Sequence, residues 1–432
     1  MERLHLHRLQ FPAEPPPRYV AANCLFSLAS QRPDLYCLWQ ASQQGGIDPA
    51  GRSPAALIIR QYGDFRRLLA ELLRLPQLVE LLEDGLPLIL DNSTEAGFCT
   101  PALWRDFRLF LESFGFRRLH LLVLQQHALS TLECEACFRD HAQLRVQALV
   151  FHHWLHRTVM AFRGTAWDPF ERARRLHPPR ARYLCLNGRL RQHRAVLVGR
   201  LAARDLLREG LVSIAPFRAA SPHPAPSGGE ADPGIFLESC RQEFPDWGED
   251  LEAYRGVMSS GLQIADELQQ PVDFGGSAAS LLPHLHIQSQ FSLVVETEMT
   301  AGQILRFTEK SLRPLANLQP LLIAGNPGAL KLLRSHGFQT FSPWIDESYD
   351  LEPNPSRRLE LVLDQAERLI RMPSGEFADL ITAMAPVVRH NRQQFVDGLE
   401  GRMEQQHADL IAAVTRLRPV RTGSPESVSP AG

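Results

Sequence analysis

Lysine is nearly missing from this 432-residue chain: Lys310 and Lys331 are the only two, and arginine supplies the rest of its 46 basic side chains. An excess of either charge is missing as well. A formal net charge of -2 gives no ground for a chain-wide nucleic-acid binder and leaves only a local basic patch to consider. No stretch approaches the roughly 18 uninterrupted apolar residues of a membrane span. The opening MERLHLHRLQFPAEPPPR has no apolar core of a signal peptide. A cytoplasmic protein without a transmembrane segment is therefore expected. Cysteines number seven, an odd count scattered along the chain, which argues against a disulfide framework. Cys134 and Cys137 form a lone CEAC with no second pair at comparable spacing, so they read as incidental cysteines on a helix rather than a zinc site.

What is present is ordinary globular material: with 44% apolar and 22% charged residues, disorder is excluded for the bulk of the chain. The length exceeds one common core, and two domains are expected. In the first third, short apolar runs alternate with helical patterns: AALIIR (55–60), LPLILD (86–91), RLHLLVLQ (118–125) and VQALVFHH (146–153). Such alternation signals βαβ units and a mainly parallel sheet. A second series begins after the basic ERARRLHPPRAR. It comprises a strand in RYLCLN, a helix from Arg191 closed by Gly210, a strand in LVSIAP and a loop over 221–234. A helical region near 247–268 and a strand in QFSLVVETE follow, and then LRFTEKSLRPLANLQPLLIAGNPGALKLLRSHG reads as helix, strand and helix. From about residue 355 the pattern is helical, interrupted at Pro386. The expected division is an α/β domain over 1–170, a second over 171–375, helices over 376–420 and a disordered tail over 421–432.

The scarce lysine points to chemistry. Lys310 follows Glu309 at an expected helix start, where free N–H groups and the helix dipole suit a phosphate and an ammonium adds a full charge. A neighbouring carboxylate can accept ribose hydroxyls. The other reading is a solvated surface pair. FSLVVETE followed by FTEKSLRPLANLQPLLIAG resembles the donor-binding motif of the α1,3-fucosyltransferase family and, more loosely, exostosin-type glycosyltransferases. The resemblance implies that Glu296, Glu309 and Lys310 hold a sugar nucleotide. Thr297 departs from the fucosyltransferase asparagine. The continuation, with its Gly-Asn-Pro-Gly and Asp-Glu-Ser-Tyr-Asp, is similar to uncharacterised bacterial and viral glycosyltransferases. The same proteins carry a run like CLNGRLRQHR, which implies donor-binding roles for Asn187, Arg189, Arg191 and Arg194. From the residues alone, these arginines could reach a diphosphate, form a solvated basic face or contact nucleic acid.

In the first domain, Asp91 and Glu95 follow the strand LPLILD, at the edge where open α/β sheets bind ligands. Glu95 is the first choice for a catalytic base, whereas Asp91 also fits a helix or turn cap. His152, His153 and His156 of FHHWLH are weaker base candidates. The resulting expectation is an α/β protein with two Rossmann-like domains of the GT-B type and C-terminal helices. The resemblance implies an inverting sugar transfer from a nucleotide-sugar donor held by the second domain to an acceptor held by the first, with chemistry in the cleft. Neither cofactor nor metal is expected, since arginine, lysine and helix dipoles can neutralise the leaving group. The acceptor is open: a glycan, a lipid-linked glycan, a protein or a nucleic acid. Two other readings stand, a noncatalytic nucleotide-sugar or nucleic-acid binding protein of the same fold and a scaffold assembled through the C-terminal helices.

Overall fold

The computed structural model describes residues 3–8, 25–40, 55–60, 70–96, 100–187, 190–213, 233–259 and 281–417. Two compact units result, each α/β: residues 1–126, 130–151 and 405–432 form one, and residues 127–129 and 152–404 the other. Among the described residues no helix is long and apolar enough to cross a membrane.

The first unit is built on a six-stranded parallel sheet. Its strands are β1 (Leu4–Arg8), β2 (Tyr36–Gln40), β3 (Ala55–Arg60), β4 (Leu88–Asp91), β5 (Leu119–Gln125) and β6 (Leu144–Val150), in the spatial order β2-β1-β3-β4-β5-β6. Every residue of β4 and β5 is buried, as a sheet covered on both faces requires, while β6 at the edge alternates buried with exposed positions. Helices α1 (Leu25–Ala29), α2 (Pro76–Glu83), α3 (Pro101–Ser113) and α4 (Ser130–Phe138) belong to this unit. On α3, Trp104, Phe107 and Leu111 recur at helical spacing and face inward, and the two rings pack with Phe138 of α4. Cys134 is likewise buried on α4, and burial pushes its thiol up to about 12, so it behaves as a small apolar side chain.

The second unit carries β7 (Ala181–Cys185), β8 (Gly210–Val212), β9 (Ser289–Val295) and β10 (Leu321–Ala324) in the parallel order β10-β9-β7-β8. Its helices include α5 (His153–Arg163), α6 (Asp168–Leu176), α7 (Gln192–Ala203), α8 (Pro233–Glu243), α9 (Gly248–Ser259) and α10 (Pro283–His286). These are followed by α11 (Glu309–Ala316), α12 (Ala329–Ser335), α13 (Pro355–Arg371), α14 (Ser374–Gln393) and α15 (Leu399–Leu417). From β7 the chain passes through α7 to β8 on one side, and from β9 through α11 to β10 on the other. The strand order therefore reverses between β7 and β9, and the carboxyl ends of these two neighbours form a topological switch point.

Several elements differ from the sequence expectation. The first unit stops at Phe151 rather than at 170, because α5 packs against α11 and so belongs to the second. The last part of α15, from Gln405, groups with the first unit, where the His407 ring bonds the Tyr36 hydroxyl at 2.6 Å. Helix α7 ends at Ala203, not at Gly210, since Asp205 turns into the left-handed region at φ 52°. Gly210 instead opens β8 against the Tyr183 ring, and a Cβ there would fall 2.3 Å from Cζ. Helix α14 runs through Pro386, and the interruption lies at a π-helical turn over Gln394–Gly398. The 221–234 loop up to residue 232 and the 421–432 tail lie outside the described residues.

His286 gives the second unit an acid sensitivity. Buried beside β9, it shares a 2.6 Å hydrogen bond with the Gln319 Oε1, while Gln319 Nε2 donates to the His286 and Ser289 carbonyls. Burial outweighs the Gln319 bond and lowers its pKa from 6.5 to about 3. A depressed histidine stabilises the fold above its unfolded pKa and stops doing so as pH falls. Stability should thus decline from about pH 6.5 downward by ~1.4 kcal/mol per pH unit for this group. Denaturant titrations at stepped pH should find that His286→Leu is less stable at neutral pH yet declines less steeply on acidification. Equal slopes for both proteins would remove His286 from the acid response.

Candidate functional site

The two sequence runs singled out for charge meet at the switch point of the second unit. One follows β7 and leads into α7; the other follows β9 and leads into α11. Glu296, directly after β9, is buried, and its carboxylate is fully engaged by the chain itself. Oε1 accepts the Thr308 N–H at 2.9 Å and the Ser311 hydroxyl at 2.6 Å. Oε2 accepts the Thr308 hydroxyl at 2.6 Å and the Thr297 N–H at 3.3 Å. It thereby caps α11, whose positive N-terminus stabilises the charge. The helix start expected to face a phosphate is occupied by this carboxylate instead.

The main-chain carbonyl of Glu296 ties in the other run. His193 and Arg194, both buried in the first turn of α7, donate to it at 3.1 and 3.0 Å. Burial, reinforced by Arg194, holds the His193 pKa at about 3, so this imidazole is neutral at physiological pH. Burial and the like charge of Arg191 lower the Arg194 guanidinium to about 10, still charged at neutral pH.

Glu309 is buried, and Lys310 lies beside it. Burial works to raise the Glu309 pKa, but Lys310 and Arg313 together outweigh it and bring the carboxyl down to about 2. Lys310 Nζ donates to Glu309 Oε1 at 2.8 Å and to the Thr297 and Thr308 hydroxyls at 3.2 Å each. Three acceptors match the three ammonium hydrogens, so a phosphate at Lys310 would replace one threonine hydroxyl. Lys331, by contrast, is exposed, and its main-chain N–H is capped by the buried Asp350 at 3.0 Å. Asp350 ends the Asp-Glu-Ser-Tyr-Asp run, which thus serves to start α12.

Two residues to which the sequence reading assigned no role complete the cluster. Arg306 is buried and paired with Glu298, through Nε at 3.0 Å and through a second, shorter contact. Burial tends to raise the Glu298 pKa, but Arg306, Lys310 and Arg191 lower it. Both lie in the segment between β9 and α11, Glu298 at the end of FSLVVETE and Arg306 two residues before Thr308, and nothing in that spacing marks them as a pair. Arg191, Arg194, Arg306, Lys310 and Arg313 therefore neighbour Glu296, Glu298 and Glu309, an excess of two positive charges in one cluster. The side chains reachable from solvent are Arg191, Thr297, Glu298 and Lys310; the others form a buried layer beneath them.

Asn187 follows β7 and is buried. Its N–H and Nδ2 donate to Ser213 beyond β8 at 2.7 and 3.1 Å, and its Oδ1 has no donor among the described residues. Arg189 lies outside the described residues. Asp91, in the first unit, accepts the Leu25 N–H at 2.6 Å, the Ser93 hydroxyl at 2.6 Å and the Ser93 N–H at 3.1 Å, so it caps α1 and the turn after β4. Glu95 is exposed at the carboxyl edge of that sheet, with its N–H on the Asn92 carbonyl and its own carbonyl receiving the Gln126 N–H. His152 accepts the Leu155 N–H as the cap of α5, stacks 4.6 Å from Phe307, and is held near pKa 3 chiefly by burial. A buried cap of this kind is a poor general base. Among the described residues no group of three His, Cys, Asp or Glu side chains is placed to hold a metal ion.

No family model and no curated protein sequence matches the chain. Among solved structures it is similar to α,α-trehalose 6-phosphate synthase from Burkholderia multivorans. There the identity is 12%, the coverage 96% of this chain and 99% of that one, and the TM-score 0.47. It is also similar to the trehalose-6-phosphate synthase OtsA (13% identity, 87% and 74% covered, TM-score 0.46). A third is the DNA-modifying β-glucosyltransferase, whose substrate is uridine diphosphoglucose (8% identity, 96% and 99% covered, TM-score 0.38). At such low identity these likenesses carry no catalytic residue over to this chain.

Replacement of Glu296 separates an anchor from a ligand. Glu296→Gln should lower stability by about 2 to 3 kcal/mol, because an amide cannot accept all four hydrogen bonds. Thermal or denaturant unfolding checks this. A variant as stable as wild type would mean that the carboxylate is held for a ligand rather than for α11.

Proposed function

We propose that the chain is a GT-B type glycosyltransferase that moves a sugar from a nucleotide-sugar donor to an acceptor, with inversion and without a metal. The observation that carries this reading is the excess of two positive charges at the switch point beyond β7 and β9. The diphosphate of a sugar nucleotide bears two negative charges, and open α/β sheets take ligands at this place. Arg191 and Lys310 are the groups that meet the phosphates, and Glu298 is placed among them to accept sugar hydroxyls. Asn187 offers a buried acceptor to the nucleoside. The likeness of Thr308-Glu309-Lys310 to the fucosyltransferase motif supports the same assignment.

Neutralisation of the leaving diphosphate falls to Arg191, Arg194 and Lys310, fixed charges that need no reorganisation as the glycosidic bond breaks. On the acceptor side we assign the base to Glu95, an exposed carboxylate at the carboxyl edge of the first sheet. Asp91, His152 and His193 are held in structural hydrogen bonds and are not assigned chemistry. A noncatalytic binding protein of the same fold would use the same phosphate groups and show no turnover.

Calorimetry with UDP, GDP, CDP and dTDP tests the site. Arg191→Gln should weaken the nucleotide that binds by about 10- to 100-fold. Lys310→Ala should weaken it similarly but also lower the melting temperature, since the buried Glu309 loses a partner. Glu95→Gln should leave nucleotide affinity intact and reduce sugar transfer or donor hydrolysis by about 10²- to 10⁴-fold. Binding that ignores the Arg191 and Lys310 changes would sink the assignment.

A further inference from the structure

The basic run between α6 and α7 divides into arginines with different tasks. Arg174 donates to the Asn317 and Leu318 carbonyls. Arg182 donates to the Met372 carbonyl and lies 4.2 Å over the Phe377 ring. Arg191 and Arg194 stand at the carboxyl end of β7. Arg172, Arg175 and Arg180 remain, all exposed, and no carboxylate among the described residues pairs with them. Arg172, Arg175 and Leu176 share one face of α6, since they are spaced at i, i+3 and i+4. Two acids lie one turn earlier, the exposed Asp168 before Arg172 and Glu171 before Arg175, the latter paired with Arg392. Leu176 is 65% exposed, and the exposed His177 and Pro178 follow it before Arg180. The patch adjoins the amino end of β7, about 16 Å along the strand from the switch point.

We propose that this patch, Arg172, Arg175, Leu176, Pro178 and Arg180, is a docking surface for an anionic lipid bilayer. Three exposed guanidinium groups match a negatively charged headgroup layer. The leucine and proline among them supply an apolar tip that leaves water only where the contacted surface has a hydrocarbon interior. A nucleic acid would call for a stacking ring or donors strung along a groove, and the patch has no such ring apart from His177. The inference stands apart from the sugar-transfer reading, because none of these residues belongs to the switch-point cluster. It describes a chain that rests on a membrane surface.

Flotation of the full-length chain with vesicles of phosphatidylglycerol and phosphatidylcholine in equal molar parts tests it. Phosphatidylcholine vesicles and a random-sequence DNA duplex serve as the comparisons. The chain should float with the anionic vesicles only, and less so as salt is raised. Replacing Arg172, Arg175 and Arg180 together by glutamine should reduce partitioning by about 10²-fold, and Leu176→Ser by about tenfold, with the melting temperature unchanged. Should the triple variant melt lower, Arg175→Gln alone must still show a loss of about fivefold. Equal binding to neutral vesicles, partitioning that ignores these substitutions, or retention by the duplex alone would overturn the proposal.

Discussion

The carboxylate of Glu296 is the joint on which the second unit's candidate site depends. Its two oxygens hold the start of α11 and thereby place Glu309 and Lys310, while its main-chain carbonyl receives His193 and Arg194 from the start of α7. Two segments more than a hundred residues apart in sequence are thus locked at one strand end. Without that joint, the five cations and three carboxylates around it would have no common geometry, and their net charge would be spread rather than focused.

Burial sets the character of this cluster. Glu309 stays ionised because Lys310 and Arg313 outweigh the cost of its desolvation, and Arg194 stays charged although burial and Arg191 both act against it. Such mutual dependence explains why the residues reachable from solvent are few and why most changes in the cluster would be felt as lost stability as well as lost binding. It also gives Lys310 a physical reason. A compact ammonium with three donors fits among Glu309, Thr297 and Thr308, where a planar guanidinium would not find the same three acceptors.

Much of this architecture was legible because parallel strands buried on both faces read as apolar runs: β3, β4, β5, β9 and β10 stand out as such. Strands β1 and β2 were not, since LHLHR alternates leucine with histidine and YCLWQ is a short run with a single aliphatic residue. The chemistry was legible where the residues sit next to one another, as in Glu309-Lys310 and the arginines after β7. Arg306 and Glu298 were not, because their pairing depends on a loop that returns on itself and leaves no periodic trace. Glu296 was correctly placed at the strand end, yet whether its oxygens face a ligand or the chain is a matter of three-dimensional contacts. The cap of Asp91 on the turn at Ser93 was legible, whereas its bond to Leu25 and the capping role of Asp350 depend on partners remote in sequence.

The central claim is that the charge cluster beyond β7 and β9 receives a diphosphate. A crystal structure of the chain soaked with the nucleoside diphosphate that binds it would test this most directly. The account predicts phosphate oxygens within hydrogen-bond distance of Arg191 and of Lys310 Nζ, with the ammonium released from Thr297 or Thr308. A nucleotide bound elsewhere, with Lys310 still engaged by Glu309 and both threonines, would contradict it.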